Sequence, residues 1–156
     1  MTNRSVAGSV ALITGAGSGM GAATAEVFAA EGAQVALTDL KLETVAPIAR
    51  SLREQGFAAE AWAMDVSDPE AIRGIVDTVA VHFGRLDIVV NNAGISAFSP
   101  IDSEDYDEVW ARALGVLLTA HQRTIRAALP YLRQSPAGRI VNIASTEALG
   151  ATSRDS

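Results

Sequence analysis

Five short apolar runs alternate with helical patterns along this chain, and a parallel sheet flanked by helices is the arrangement that buries them all. The runs cover residues 9–13, 34–38, 58–63, 86–91 and 139–144. In the fourth, Ile88, Val89 and Val90 follow one another, as suits a strand covered on both faces. The spacing predicts a helix over 19–31 that stops at Gly32, and another over 42–55 that stops at Gly56. Pro47 in the latter marks a late start or a kink. Ser67-Asp68-Pro69-Glu70 reads as a capping box, with Ser67 as cap and Glu70 reaching back, before a helix that runs to Phe83 and Gly84. A long helix is predicted over 104–132, capped by Ser103 or Asp102, with Pro130 near its end.

Units of this kind in succession imply an α/β fold: a doubly wound parallel sheet of Rossmann type, with right-handed crossovers and at least five strands. The 156 residues suit a single domain, and 49% apolar against 19% charged residues marks a globular chain. A net charge of −6 argues against nucleic acid or an anionic membrane surface as partner. The absence of cysteine excludes disulfides and thiolate chemistry and fits a cytoplasmic setting. No signal-peptide core and no membrane-length apolar run is present, so no membrane partner is expected.

The turn between the first strand and the first helix carries the chemistry. It reads Thr14-Gly15-Ala16-Gly17-Ser18-Gly19-Met20-Gly21. Glycines permit a tight turn and a close approach of backbone to phosphate, and the free N–H groups of the helix start face the anion. The spacing is G-x-x-x-G-x-G on Gly15, Gly19 and Gly21, not the familiar G-x-G-x-x-G, which would require glycine at Met20. Ser18 and Met20 complete the candidate pyrophosphate site. Asp39 closes the second strand, and an acid about 20 residues beyond such a turn accepts from the ribose hydroxyls of NAD. Such an acid repels the extra phosphate of NADP, and Ser18 offers no compensating cation, although Lys41 softens the preference. Leu40 stands beside Asp39 in the same candidate set.

With these motifs in place the chain resembles the N-terminal part of a short-chain dehydrogenase/reductase. The matching residues are the glycine turn, Asp65-Val66, Asn91-Asn92-Ala93-Gly94, and Arg139-Ile140-Val141-Asn142-Ile143-Ala144-Ser145. The resemblance implies that Asp65 and Val66 hold the adenine, the carboxylate accepting from its exocyclic amine. It implies that Asn91 ties neighbouring strands, that Asn92 belongs to the cofactor site, and that Ala93 and Gly94 pass close to the cofactor ribose, with Ile95 beside the nicotinamide. It makes Ser145 the catalytic residue that hydrogen-bonds the reacting oxygen of an alcohol or ketone. It also implies a homo-oligomer, dimer or tetramer, built through the long helix.

Two departures stand out. The family's relay asparagine on the long helix aligns with Leu117, which cannot hold a water. The family's base is a tyrosine with a lysine four residues on, yet the residues four beyond Tyr106 and Tyr131 are Trp110 and Ser135, and Lys41 is the only lysine. The tyrosine would fall just beyond Ser156. The expectation is therefore a C-terminally incomplete nucleotide-binding domain over 1–156, with later strands missing and no turnover by itself. The full enzyme would be an NAD-dependent oxidoreductase that interconverts a secondary alcohol and a ketone. Two other readings stand beside it: a non-catalytic NAD-binding module, and a methyltransferase using S-adenosylmethionine, which would leave residues 91–94 unexplained. No metal is expected. The acidic cluster at Asp102, Glu104, Asp105, Asp107 and Glu108 reads as a solvated helix start. His82 and His121 read as surface or packing residues.

Overall fold

A computed structural model of the chain describes residues 4–145. Ser156, on which the expectation of an incomplete domain rests, lies outside the described residues. Within them, five parallel strands form one sheet in the order β3-β2-β1-β4-β5. The strands are β1 (Val10–Thr14), β2 (Gln34–Asp39), β3 (Ala59–Ala63), β4 (Ile88–Asn91) and β5 (Arg139–Asn142). The helices between them are α1 (Gly19–Ala30), α2 (Leu42–Glu54), α3 (Pro69–Phe83), α4 (Tyr106–Leu114) and α5 (Ala120–Leu132). None is long and apolar enough to cross a membrane.

The core forms two layers because side chains alternate across each strand. Val10 and Leu12 of β1 join Val89, Ile72, Val76, Val79 and Ala128 on the face covered by α3 and α5. Ala11 and Ile13 join Val35, Leu37, Val45, Ala49 and Leu52 on the face covered by α1 and α2. Every residue of β1 is buried, as a strand covered on both sides requires. In α1 the buried positions are Gly21, Ala25 and Ala29, four apart, so its backbone lies close against the sheet. Among the described residues β5 forms one border of the sheet, and its Ile140 and Val141 are each 42% exposed.

The chain winds outward from β1 through β2 to β3, then returns to the other side of β1 to lay down β4 and β5. The sheet therefore switches direction between β1 and β4. There the loops leaving the carboxyl ends diverge and open a crevice.

Three local expectations need correction. The cap of α3 is Asp68, not Ser67: Asp68 Oδ1 accepts from the Glu70 amide at 2.8 Å. Proline at the first helical position makes the preceding residue the cap, and the Ser67 hydroxyl instead donates to Asp65 Oδ1 at 2.7 Å. The segment over 104–132 is not one α-helix. It begins at Tyr106 after Asp105, and a π-helical stretch at Gly115–Thr119 separates α4 from α5. The Asp105 carboxylate caps no amide because it accepts the hydroxyls of Ser99, at 2.8 Å, and Ser103. Pro47 marks no late start, since α2 runs through it from Leu42.

Opposite the crevice, the Asp87 carboxylate locks the amino ends of the strands together. It accepts from the Val10 amide at 2.9 Å, from Arg85 Nε and Nη2 at 2.7 Å each, and from Ser135 Oγ at 2.5 Å. Burial pushes this carboxyl up, but the bonds from Arg85, Ser135 and Val10 and the guanidinium charge outweigh it and hold the pKa below the ordinary carboxylate value. Asp87→Asn is expected to lower the unfolding free energy by about 2 kcal/mol at neutral pH. Because the folded pKa lies below the unfolded one, this stabilisation is complete above about pH 4 and fades as pH falls through the folded value. Urea unfolding of both proteins at neutral and acid pH checks it: the gap between them should close in acid.

Candidate functional site

The crevice at the switch between β1 and β4 is a cleft of about 460 Å³, within the usual range for small-molecule sites. Its floor is the turn after β1. Gly15 and Gly19 there have φ of 64° and 54°, a region that L side chains rarely adopt. The turn packs so tightly on the loop after β4 that a Cβ on Gly15 would stand 2.7 Å from Ala93 Cα.

Side chains hold this arrangement rigid. The Thr14 hydroxyl accepts from the amides of Asn92 and Ala93, both at 3.0 Å. Asn92 Nδ2 donates to the carbonyls of Thr14, at 2.9 Å, and Gly15, at 3.1 Å. Asn91 Nδ2 donates to Asn142 Oδ1 at 2.8 Å, which joins β4 to β5 at the same end of the sheet. Asp39 Oδ2 accepts from the Gly17 amide at 3.0 Å and Oδ1 from the Leu40 amide at 2.8 Å. The acid that ends β2 is thus tied to the glycine turn and lines the cleft.

The start of α1 is open electrostatically. Ser18 occupies the cap position in an extended conformation but makes no side-chain cap bond, and no acid stands in the first turn. The first amides of a helix have no partner within it. Here no side chain takes their place, so they and the helix dipole are available to an anion in the cleft.

Of the candidate cofactor residues, Gly15, Ser18, Gly19, Met20, Asp39, Leu40, Asp65, Val66, Asn92, Ala93 and Gly94 line this one cleft, and Ile95 lines it too. Met20, 65% exposed, and Leu40 form its rim. Asp65 accepts from the amide and hydroxyl of Ser67, at 2.8 and 2.7 Å, which fixes its carboxylate at the cleft edge. Gly21 does not line the cleft. It is buried beneath it, where a Cβ would overlap the Gly15 carbonyl oxygen. Ser145 lies exposed just past β5 and is not among the lining residues.

Sequence reasoning missed two lining residues, Met64 and Val116. Met64 is buried beside Asp65, and its position after the third strand was the available signal. Val116 comes from the π-helical stretch, for which sequence periodicity holds no signal. In that stretch Leu117 is 44% exposed, and its Cδ2 would stand 3.4 Å from a Cβ placed on Gly94. An apolar side chain therefore borders this loop. Among the described residues no three of His, Asp and Glu gather as a metal site. His82 packs edge-on against Trp62 and Phe83, with ring centroids 5.5 and 4.5 Å away, away from the cleft-lining set.

Comparison with known proteins agrees with this architecture. The family model described as short chain dehydrogenase matches residues 9–154. The D-threitol dehydrogenase of Mycolicibacterium smegmatis is 36% identical over 141 residues, which cover 90% of this chain and 54% of that protein. A crystal structure of NAD+-bound xylitol dehydrogenase superposes with a TM-score of 0.86 at 36% identity, covering 94% of this chain and 56% of that one. A metagenomic short-chain oxidoreductase in complex with NADP gives a TM-score of 0.83 at 36% identity, covering 90% of this chain and 64% of that one. The chain spans about half the length of the curated relatives it matches.

Proposed function

The chain belongs to the short-chain dehydrogenase family, and from that membership we propose that it is the nucleotide-binding part of an NAD-dependent oxidoreductase that interconverts a secondary alcohol and a ketone. The observation that carries the choice of NAD is Asp39. Its carboxylate, held by the Gly17 amide, lines the same cleft as the open start of α1. The amides of Gly19 and Met20 suit a diphosphate, and a carboxylate at the rim accepts from ribose hydroxyls while disfavouring a phosphorylated ribose. Asp65 and Val66 receive the adenine. Asn92, Ala93 and Gly94 border the nicotinamide ribose. When bound, the cofactor supplies or accepts the hydride.

Ser145 is assigned to hold the reacting oxygen and to stabilise charge that develops there. The base is assigned to a tyrosine–lysine pair in a part of the protein beyond Ser156, so these 156 residues alone are expected to show no turnover. The exposed side chains of Leu114, Leu117 and Leu118 are assigned to contact with a second copy, and the setting to the cytoplasm.

Titration calorimetry with NAD, NADP and S-adenosylmethionine tests the reading. NAD should bind at least tenfold more tightly than NADP, a difference of about 1.4 kcal/mol, and S-adenosylmethionine should give no heat. Absence of heat with both nicotinamide nucleotides would overturn it. Leu117 favours a second reading, a module that holds NAD without chemistry. Turnover of alcohols by a longer protein carrying the tyrosine and lysine would eliminate that alternative.

A further inference from the structure

α3 and α5 pack side by side over one face of the sheet, and a groove of about 300 Å³ lies between them. None of its residues lines the cofactor cleft. Its apolar surface comes from Pro69, Ala127 and Pro130, and its charge from Arg73, Arg123 and Arg126. In a chain of net charge −6, with 12 basic residues in all, three arginines converge on one concavity.

Two carboxylates stand nearby. Asp77, in the groove wall, accepts the Tyr131 hydroxyl at 2.7 Å, and this bond raises the phenol's pKa. Glu70 pairs with Arg73 on the surface of α3. Arg123 is half-buried and held in place because its Nη1 donates to the Ser67 carbonyl at 2.9 Å. A guanidinium has five donors, so that single bond leaves most of its fork available. Arg126 is exposed and pairs with no carboxylate among the described residues.

The geometry points to this groove as a second anion site, which takes the phosphate of a small organic phosphate. The guanidinium forks of Arg123 and Arg126 clasp the phosphate oxygens, while Arg73 stays paired with Glu70. The apolar remainder of the ligand lies on Pro69, Ala127 and Pro130. Two guanidinium forks match the three oxygens of a phosphate better than the two of a carboxylate. The cradle of small apolar residues favours a compact organic body over a polymer, as the acidic chain as a whole also does.

The test is a titration of the isotope-labelled full-length protein with phenyl phosphate, followed amide by amide by NMR. Benzyl alcohol and chloride at matched ionic strength serve as controls. Saturable shifts are expected at residues 69–77 and 123–130 with phenyl phosphate alone. Arg126→Gln, at an exposed position, should weaken that binding about tenfold, as loss of a charge-assisted bond implies. Arg123→Gln with Arg126→Gln should abolish the groove shifts. Any phosphate bound in the cofactor cleft registers separately, at the amides of residues 15–21. Shifts confined to those amides, equal shifts with chloride, or unchanged affinity in Arg126→Gln would overturn the proposal without touching the assignment of the cleft.

Discussion

Gly21→Ala is expected to lower the unfolding free energy by about 3 kcal/mol, at the upper end for overpacking a tight contact, and to abolish nucleotide binding. The added methyl group would overlap the Gly15 carbonyl oxygen and stand 2.6 Å from Asn92 Nδ2. Neither neighbour is a flexible chain end. The first is backbone, and the second is fixed by bonds to the Thr14 and Gly15 carbonyls. To make room, α1 must move away from the turn, which pulls its first amides out of the cleft and breaks the link between β1 and the loop after β4. Gly19→Ala separates crowding from conformation. Gly19 has φ of 54°, but a methyl group there would meet nothing within 4 Å, so its substitution costs only the strain of a left-handed residue, about 1 kcal/mol. Urea unfolding of the three proteins decides the matter. A Gly21→Ala protein as stable as Gly19→Ala would refute the crowding account.

Asp39→Ala is expected to weaken NAD binding by about a hundredfold or more, the loss of two hydrogen bonds to a charged acceptor, while NADP binding holds or improves. Asp39 does two jobs in this reading. It faces the cleft, and it anchors the glycine turn through the Gly17 amide at 3.0 Å. Asp39→Asn tells them apart. The amide oxygen can still accept from Gly17, so the turn stays in place, but the charge that disfavours a second phosphate is gone. The asparagine variant should therefore bind NAD more tightly than the alanine variant yet lose most of the discrimination against NADP. Calorimetric dissociation constants for both nucleotides give the answer. Unchanged NAD affinity in Asp39→Ala would remove Asp39 from the site.

The alternating pattern made the strands legible to within a residue or two at most ends, because a strand buried on both faces leaves an uninterrupted apolar run. Val10–Thr14 and Ile88–Asn91 are such cases. The cap of α3 was misread because Ser67 and Asp68 both suit the role, and the decision fell to the backbone at Pro69 and to a competing bond from Ser67 to Asp65. The π-helical stretch at Gly115–Thr119 was invisible. One wider turn displaces the helical phase by less than periodicity over mixed apolar residues can resolve, so Val116 went unnoticed as a wall of the cleft.

The order of elements, the glycine turn and the acid at the end of the second strand are all legible along the chain. Those depend on local chemistry: which residues tolerate a left-handed turn, which runs are apolar, and where charge interrupts them. Folding is what brings Asp39 back to Gly17, closes Asn92 on the turn from 77 residues away, and gathers three arginines from two helices in one groove. Such contacts arise when the chain reverses its winding between β1 and β4 and when α3 packs against α5. Nothing short-range in the chain encodes them, since each depends on where distant segments come to lie once the common core is buried.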